Sequence, residues 1–544
     1  MVRHVTLIGL TAFALFGFGA VKHANAAVPL TGEESAAVVI NLADLLAKEP
    51  GLPLPVRQSY EALNAYYQEE AGPLLWIGSE RMVSLVERLS TAQVDGLDQA
   101  DYPIDKLAEF ADIAEETDIR GKAIIELYFS AAFLEYASDL QVGRFLPRKV
   151  DPNFFLQARE IDPLAALNGA LSASDLNAFF DRWQPPTQAY VDLKQTLAEY
   201  RALEANGGWP TVPLGDALKP GMSDPRVPAL RARLAVTEEV AVAAPPGQEE
   251  LYGDELVAAV QAFQARHGLE IDGIAGNQTM IALNVPIEDR IEALVVAMER
   301  WRWMPADLGS DHLLVNIAGF DLRFVRDGAL ADQMAVVVGK PYHKTPVFSD
   351  KVQTVEFNPY WNVPASIAVK EELPKLRSNP GRLAAQGFEA VQGNRVIPVS
   401  AVNWGRYGPG NFPFKLRQRP GPRNALGQVK FLFPNKFNVY LHDTPARSLF
   451  SRPERAFSHG CIRLSRPIDL AEEVLALQGG WSRERIGGVL ASGERTVIKV
   501  ETPLPVHISY FTAWVDNGQA NFRGDIYEQD EKLVAALAGK TIAW

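Results

Sequence analysis

Helical periodicity governs the first half of the chain. From about residue 30 to 225, apolar side chains recur every three or four positions, as in ESAAVVINLADLLAKE and GKAIIELYFSAAFLEYASDL, and this spacing places them on one face of an α-helix. Loops rich in Gly, Pro and Asp, such as GLDQADYP, separate these segments. The stretch lacks paired acids, metal-ligand clusters and nucleophile motifs, so the pattern predicts a helical scaffold domain over 30–225.

A smaller helical unit follows at 226–284. RVPALRARLAV and YGDELVAAVQAFQARHGL are amphipathic, and EIDGIAGNQTMIALN places a Gly-containing turn before another short helix. This layout resembles the small three-helix peptidoglycan-binding domain, and the residues that match it in order are Phe263, Gln264, His267, Gly268, Leu269, Asp272, Gly273, Gly276, Thr279, Leu283 and Asn284. The resemblance implies wall binding, but the apolar members are also core types and the glycines suit turns. A binding role and a spacer role both stay open, and His267 by itself indicates a packed histidine.

The periodicity changes after residue 285. DRIEALVVAMERWRWMP predicts a connecting helix within 285–310, and from 311 to 510 short runs such as HLLVNIAGF and FNVYLHDTP alternate apolar and polar residues, as strands do. A polar, Pro- and Gly-rich passage at 371–423 lacks a regular pattern and predicts an inserted lid. Residues 511–544 are expected to pack on the β-rich domain or on the scaffold. The chain is therefore predicted to be a multidomain α+β protein.

The first 26 residues carry an export signature. MVRH supplies a basic residue, VTLIGLTAFALFGFGAV is an apolar run, and Ala24-Asn25-Ala26 has the small-x-small pattern that export peptidases cut. The apolar run is just short of the roughly 20 residues that span a bilayer. We therefore expect a signal peptide over 1–26 that is cleaved after Ala26, the alternative being an uncleaved anchor. No later stretch is apolar and long enough to suggest a membrane span.

Charge and cysteine content narrow the chemistry. The net charge of −13 at pH 7 argues against nucleic acid or a polyanionic membrane as a partner. Cys461 is the only cysteine in the 544-residue sequence, so it has no internal disulfide partner, and a lone exported thiol is intermolecular, reactive or inert. We see no convincing metal-ligand cluster, and no cofactor is expected.

Two histidines precede Cys461. His442 ends the alternating run VYLHDTP, and His459 lies two residues before the cysteine, across Gly460. An imidazole close to a thiol takes its proton or lowers its pKa. We expect His442 to be the base, because a histidine on a separate strand can approach the sulfur. We expect His459 to support that base or to face substrate. Gly460 lets the backbone bend, and the N–H groups of Gly460 and Cys461 are candidate oxyanion-hole donors.

The longer string around these residues resembles the L,D-transpeptidase signature, in which a histidine is followed later by Ser/Thr-His-Gly-Cys and a polar residue. The matching residues here are His442, Ser458, His459, Gly460, Cys461 and Arg463. NPYWNVP, RPGPRNALG, WVDNGQANFRGDIY and YASDLQVGRFLP also resemble the large Gram-negative subgroup of that family. The resemblance implies a periplasmic enzyme with a β-sandwich-like catalytic domain that carries an inserted lid.

The resemblance also implies roles for single residues. Cys461 would be the nucleophile and His442 the general base, and the backbone carbonyl of Asp443 would orient that base, although the Asp443 side chain invites a triad interpretation. Gly460 would serve the oxyanion hole. The residues expected on the substrate side are Ser458, His459, Arg463, Tyr440, Trp361 and Arg419.

Some of these substrate-side assignments have structural alternatives. Arg463 would hold a substrate carboxylate or tie down its loop. Tyr440 and Trp361 would line the cleft or belong to the core. Arg419 and its neighbours Arg417 and Arg423 would meet diaminopimelate carboxylates or form a solvated basic stretch.

The implied reaction is an acyl transfer in two steps. The Cys461 thiolate attacks the third residue of a tetrapeptide stem, D-Ala leaves, and the diaminopimelate amine of a second stem attacks the thioester to form a 3→3 cross-link. Peptidoglycan stems are thus the expected partners, wall-synthesis enzymes are further candidates, and carbapenems are expected to add to Cys461. The alternatives are an L,D-carboxypeptidase or endopeptidase that passes the acyl group to water, transfer to a lipoprotein lysine, or a non-catalytic wall-binding scaffold.

Overall fold

The computed structural model describes residues 29–48, 52–238, 240–241 and 243–539. The predicted signal peptide, residues 1–26, lies outside the described residues, as do the last residues of the C-terminal segment. No helix within the described ranges combines the length and the apolar character that a membrane crossing requires.

The N-terminal helices pack around one long helix that is buried on most of its faces. Their bounds are α1 Gly32–Leu46, α2 Leu54–Gln58, α3 Tyr60–Asn64, α4 Arg81–Ser90, α5 Ile104–Ile113, α6 Ile119–Val142, α7 Pro147–Val150, α8 Pro163–Ser172 and α9 Leu176–Trp183. The central helix is α6, which begins where the Asp118 side chain caps the Gly121 N–H. Phe129 and Phe133 of α6 are fully buried in a core that runs from Val38 to Phe180. The predicted helical scaffold is present.

Helix α10 (Gln188–Ala205) does not belong to that core. It lies within the 30–225 stretch assigned to the scaffold by the sequence, and it packs along the connecting helix, where its Leu193 and Leu197 share the hydrophobic core of the β-rich domain. Between α10 and the connecting helix the chain forms α11 Val227–Leu234, α12 Asp254–Arg266 and α13 Asn277–Leu283. The connecting helix itself is α14, Ile287–Trp303.

Helices α11 to α13 form the small domain, and its motif residues hold it together. Phe263 is fully buried, and the Gln264 amide donates to Asp272 (2.9 Å) and to the Ile274 carbonyl (3.0 Å). The His267 ring stacks on Phe263 with 3.7 Å between ring centroids, and burial, above all other causes, lowers its pKa well below the usual value. His267 is therefore a packed histidine, as the sequence indicated.

The remaining elements belong to the β-rich domain, its insertion and the C-terminal segment. The strands are β1 His312–Asn316, β2 Asp321–Arg326, β3 Ala329–Gly339, β4 Phe348–Phe357, β5 Trp361–Asn362, β6 Phe388–Gln392, β7 Arg395–Pro398, β8 Lys415–Gln418, β9 Val429–Leu432, β10 Leu441–His442, β11 Ala456–Ser458, β12 Ile462–Leu464, β13 Thr496–Ser509, β14 Ala513–Asp516 and β15 Gln519–Phe522. The helices are α15 Ala365–Ile367, α16 Leu373–Ser378, α17 Pro380–Ala385, α18 Pro467–Ala476, α19 Arg483–Ser492 and α20 Asp530–Gly539.

The main sheet bends until it closes on itself. Its strand order among the described residues is β11-β3-β12-β10-β9-β4-β13-β1-β2, and β2 also pairs with β3. This closure is possible because β3 is long: residues 329–335 pair with β2, whereas residues 336–339 pair with β12 and β11. The short central strand β10 is thereby held between β9 and β12.

The inserted lid is a folded subdomain, which we call the cap, and not the irregular passage expected at 371–423. It spans residues 361–418 and contains the sheet β5-β8-β6-β7 with α15 to α17 packed on it. Leu376, Leu383 and Leu416 are buried in a core that belongs to the cap alone. The expectation failed because β5 pairs with β8, far along the chain, and such long-range pairing leaves no local pattern.

The C-terminal segment packs on both neighbouring parts of the molecule. The β14–β15 hairpin and α20 share the core of the β-rich domain. Asp530 forms an ion pair with Arg300 of α14 (2.5 Å), and Lys532 forms one with Asp151, next to α7 (2.5 Å). The segment therefore links the β-rich domain to the scaffold.

Candidate active site

Strand pairing places His442 between two cations. In the register of the sheet, His442 on β10 lies opposite Lys430 on β9 and Arg463 on β12. Paired residues project from the same face of a sheet, and so do residues two positions apart on one strand. Tyr440 and Cys461, just before β10 and β12, adjoin the same face: the Tyr440 ring lies 5.5 Å from that of His442, and Tyr440, Lys430 and Arg463 all act on the thiol.

The imidazole of His442 is held as a neutral base with a defined tautomer. Its Nδ1 lies 2.5 Å from the Asp443 carbonyl oxygen, and because a carbonyl only accepts, Nδ1 carries the proton and Nε2 keeps its lone pair. Burial first, and then the charges of Arg463 and Lys430, lower the pKa of His442 to about 3. The ring is therefore uncharged at neutral pH.

The Asp443 side chain faces other partners. Its carboxylate accepts hydrogen bonds from the Gln428 N–H (2.9 Å) and from Arg447 (3.1 Å). Only the backbone carbonyl of Asp443 contacts the imidazole. The geometry is the one that the family resemblance implies, and a Cys-His-Asp side-chain triad is not formed.

Cys461 lies at the end of this face as a partly buried thiol. Its Sγ is 3.7 Å from the carbonyl oxygen of Asn438, a residue with a left-handed φ of 56°. Burial raises the pKa of the thiol, whereas hydrogen bonding from Tyr440 and the charges of Lys430 and Arg463 lower it. The resting cysteine is therefore a protonated thiol.

The loop before Cys461 is braced from within. Gly460 has a φ of 107°, which side-chain-bearing residues rarely adopt. The Ser458 hydroxyl accepts from the Gly460 N–H (3.1 Å) and donates to the Cys461 carbonyl (2.5 Å), and Ser458 is only 2% exposed. Two expectations are corrected: Ser458 faces the loop and not substrate, and the Gly460 N–H is engaged, so it is not an open oxyanion-hole donor.

His459 points to the cap. Its Nε2 is 2.7 Å from Glu371 Oε1, in a π-helical turn of the cap at Ala368–Glu372. Its ring also lies 4.8 Å from that of His343. The cap thus contacts the loop that carries the thiol.

The other predicted substrate residues fall into two groups. Tyr440 and Arg463 adjoin the thiol. The Arg463 side chain forms no hydrogen bond or ion pair with any residue in the described ranges, so no such contact ties down its loop. Trp361 packs edge-on against Phe388 inside the cap, at 6.0 Å between rings. Arg419 lies at the base of the cap, 3.4 Å from Glu389. It lines a groove of about 560 Å³ together with Tyr360, Arg423 and Arg495.

Lys430 is a site residue that the sequence did not reveal. Its Nζ lies 4.0 Å from the centre of the Tyr440 ring, and within the described part of the chain no acceptor bonds it. Its neighbour on β4 is the buried Glu356, which Arg495 engages at 2.5 Å. The one signal available was a lysine inside the apolar run VKFLF, which also fits a solvated strand position.

Three family models match separate parts of the chain. Residues 310–506 match the L,D-transpeptidase catalytic domain, residues 224–283 a domain described as "putative peptidoglycan binding domain", and residues 61–197 a scaffold domain. These matches fall on the β-rich domain, the three-helix domain and most of the N-terminal helices, the last match also reaching into α10.

Individual proteins give the same family name. A protein of Haemophilus influenzae described as "Putative L,D-transpeptidase" is 37% identical over 223 residues, which are 41% of this chain and 45% of that protein, so the match spans less than half of its length. Among solved structures, the L,D-transpeptidase from Xylanimonas cellulosilytica (17% identity, 54% of this chain, 98% of that chain) has a TM-score of 0.17. L,D-transpeptidase 3 from Mycobacterium tuberculosis with a faropenem-derived adduct (16% identity, 37% of this chain, 60% of that chain) has a TM-score of 0.19.

Proposed function

We propose that this chain, which carries an L,D-transpeptidase catalytic domain, joins peptidoglycan stem peptides through a thioester on Cys461. The observation that carries the proposal is a lone thiol and a neutral histidine, its Nδ1–H held by a carbonyl, that both adjoin Tyr440, Lys430 and Arg463. In this tautomer the Nε2 lone pair is free to take the thiol proton. We further propose that the protein acts in the periplasm.

In the first step His442 takes the thiol proton as Sγ attacks the carbonyl carbon of the third stem residue. The S–C bond forms, the C–N bond to D-Ala breaks, and His442 returns the proton to the departing amine. Because the resting thiol and imidazole are both neutral, Tyr440, Lys430 and Arg463 stabilise the negative charge only as it develops. The product is a thioester and free D-Ala.

In the second step the side-chain amine of another stem attacks the thioester. His442 accepts the amine proton, the C–S bond breaks, and the thiolate is reprotonated, which leaves a 3→3 cross-link and the free enzyme. Water in place of the amine would give an L,D-carboxypeptidase. The contact between Glu371 of the cap and His459 covers the thiol loop from one side. Because a covered site limits the access of water, this contact favours the amine over water as the acceptor of the acyl group.

Two half-buried cations lack a protein acceptor in the described ranges, Lys430 and Arg463. A desolvated cation without a partner favours an anionic ligand. We assign them to the carboxylates of the donor stem, so that Arg463 serves substrate binding in preference to loop support. The groove at Arg419 is the proposed path for the carboxylates of the second stem.

Analysis of products with a disaccharide-tetrapeptide tests this proposal. The purified protein is expected to yield a dimer that is lighter by one alanine than two monomers, and the Cys461→Ala variant is expected to yield none. Tripeptide without dimer would replace the transpeptidase by the hydrolase. A dimer formed equally by Cys461→Ala would overturn the proposal.

A further inference from the structure

The carbonyl of Gly460 is held by a residue from a distant loop. The Thr345 hydroxyl donates to the Gly460 oxygen at 2.9 Å and accepts the Gly339 N–H at 2.9 Å. Thr345 is completely buried, so both bonds are shielded from water. A β-carbon at Gly339 would lie 3.1 Å from Gly460 Cα and 2.0 Å from the His343 carbonyl, and the close approach of the two loops therefore requires glycine.

Thr345 is in turn held by the C-terminal segment. The Tyr527 hydroxyl accepts the Thr345 N–H at 3.2 Å and donates to the Gly339 carbonyl at 2.5 Å. The Tyr527 N–H donates to the Tyr510 hydroxyl at 2.9 Å, and that hydroxyl donates to Asp525 at 2.6 Å. Thr345 thus lies in a buried hydrogen-bond chain with little freedom to move.

Fixing this carbonyl also fixes the next amide. The Gly460 C=O and the Cys461 N–H belong to one planar trans peptide and point in opposite directions. With the carbonyl directed at Thr345, the Cys461 N–H is directed away from it, and within the described ranges no oxygen accepts that N–H. Since the Gly460 N–H is already bonded to Ser458, the Cys461 N–H is the open donor on the nucleophile itself.

We infer that Thr345, held by Tyr527, is a positioning residue that orients the Cys461 N–H toward the oxyanion formed during acyl transfer. The inference rests on the proposed cysteine acyl chemistry. Thr345 itself touches neither substrate nor sulfur. Its effect is confined to steps in which a carbonyl oxygen gains negative charge, where one such donor is worth roughly 10²–10³ in rate.

The single thiol of the chain allows two reactions to be compared at the same atom. p-Nitrophenyl acetate acetylates Cys461 through a tetrahedral oxyanion and releases p-nitrophenolate, whereas iodoacetamide alkylates it by displacement of iodide, with no oxyanion. In the near-isosteric Thr345→Val variant we expect acetylation to slow by about 10- to 100-fold and alkylation to stay within about twofold. Thr345→Ser, which keeps the hydroxyl, is expected to restore acetylation.

Tyr527→Phe provides a second variant that keeps the aromatic packing. We expect it to slow acetylation less than Thr345→Val does, again with alkylation unchanged. An acetylation-to-alkylation ratio equal to that of the wild type in both variants, or an equal fall in both reactions, would overturn the inference. Wild-type protein that is acetylated by the ester but leaves a disaccharide-tetrapeptide untouched would instead contradict the proposed function.

Discussion

His459 Nε2 lies 2.7 Å from Glu371 Oε1, so a single hydrogen bond joins the cap to the loop that carries the nucleophile. Both side chains are partly exposed, and such a contact contributes at most about 1 kcal/mol. A contact of that size can hold the cap closed and still release it when substrate enters. The relationship implies that opening of the cap and exposure of the thiol loop are linked.

Removal of this contact is expected to favour the open cap. In Glu371→Ala, limited proteolysis should cut the cap up to about fivefold faster, which corresponds to about 1 kcal/mol. The ratio of tripeptide to dimer should also rise, because water then reaches the thioester. Glu371→Gln keeps an acceptor for the His459 N–H and serves as the matched control. Unchanged cleavage and product ratios in Glu371→Ala would remove the link between cap and loop.

The Asp443 carboxylate is expected to be dispensable for catalysis. It contacts Gln428 and Arg447, whereas the backbone carbonyl orients His442. Asp443→Asn should lower the free energy of unfolding by about 1 kcal/mol, the scale of one altered hydrogen bond, and leave kcat within a few-fold of the wild type. A fall of about 10⁴ in kcat, as in a side-chain triad, would show that the carboxylate orients the base.

The low pKa of His442 predicts how stability depends on pH. In the unfolded chain this imidazole titrates near its ordinary value of 6.5, whereas in the folded protein its pKa is about 3. Between these values the unfolded state binds a proton that the folded state excludes, so the free energy of unfolding falls as the pH drops from 6.5 toward 3. Urea denaturation at pH 4 and pH 7 should show a smaller loss in His442→Gln than in the wild type, and equal losses would contradict the assignment.

Lys430 is expected to assist formation of the thiolate. Its charge lowers the pKa of Cys461, so in Lys430→Met the alkylation of the thiol by iodoacetamide should require a higher pH. The same variant should also have a higher KM for the tetrapeptide, because a carboxylate of the donor stem loses its cationic partner. Lys499→Met on the exposed side of β13 is the control, and identical pH profiles for the wild type and Lys430→Met would exclude this role.

Local sequence pattern predicted much of the fold, because helices such as α6 and the three-helix domain depend on spacing within one segment. It also singled out Cys461 and His442 as candidate nucleophile and base, since they belong to a short, readable signature. It missed the cap sheet, in which Trp361 on β5 pairs with Gln418 on β8. It also missed Lys430, whose position beside His442 depends on the register between separate strands.

Hydrogen bonding explains the other differences. Ser458 and Gly460 are members of the signature, but the bond between them turns the hydroxyl inward and occupies the amide. Residue type alone does not show this orientation, because a serine beside a nucleophile is equally suited to contact substrate. Thr345 lies more than a hundred positions before Gly460, and their contact follows only from the closed sheet.

The intact mass of the protein during a single turnover shows whether Cys461 carries an acyl group. Purified protein is mixed with a disaccharide-tetrapeptide, quenched in acid and weighed beside the Cys461→Ala variant. We expect a wild-type species heavier by the mass of the donor minus alanine, with the adduct located on Cys461 and removed by hydroxylamine, and no such species in the variant. Release of D-Ala without this adduct, or the same adduct in Cys461→Ala, would contradict acyl transfer through this cysteine.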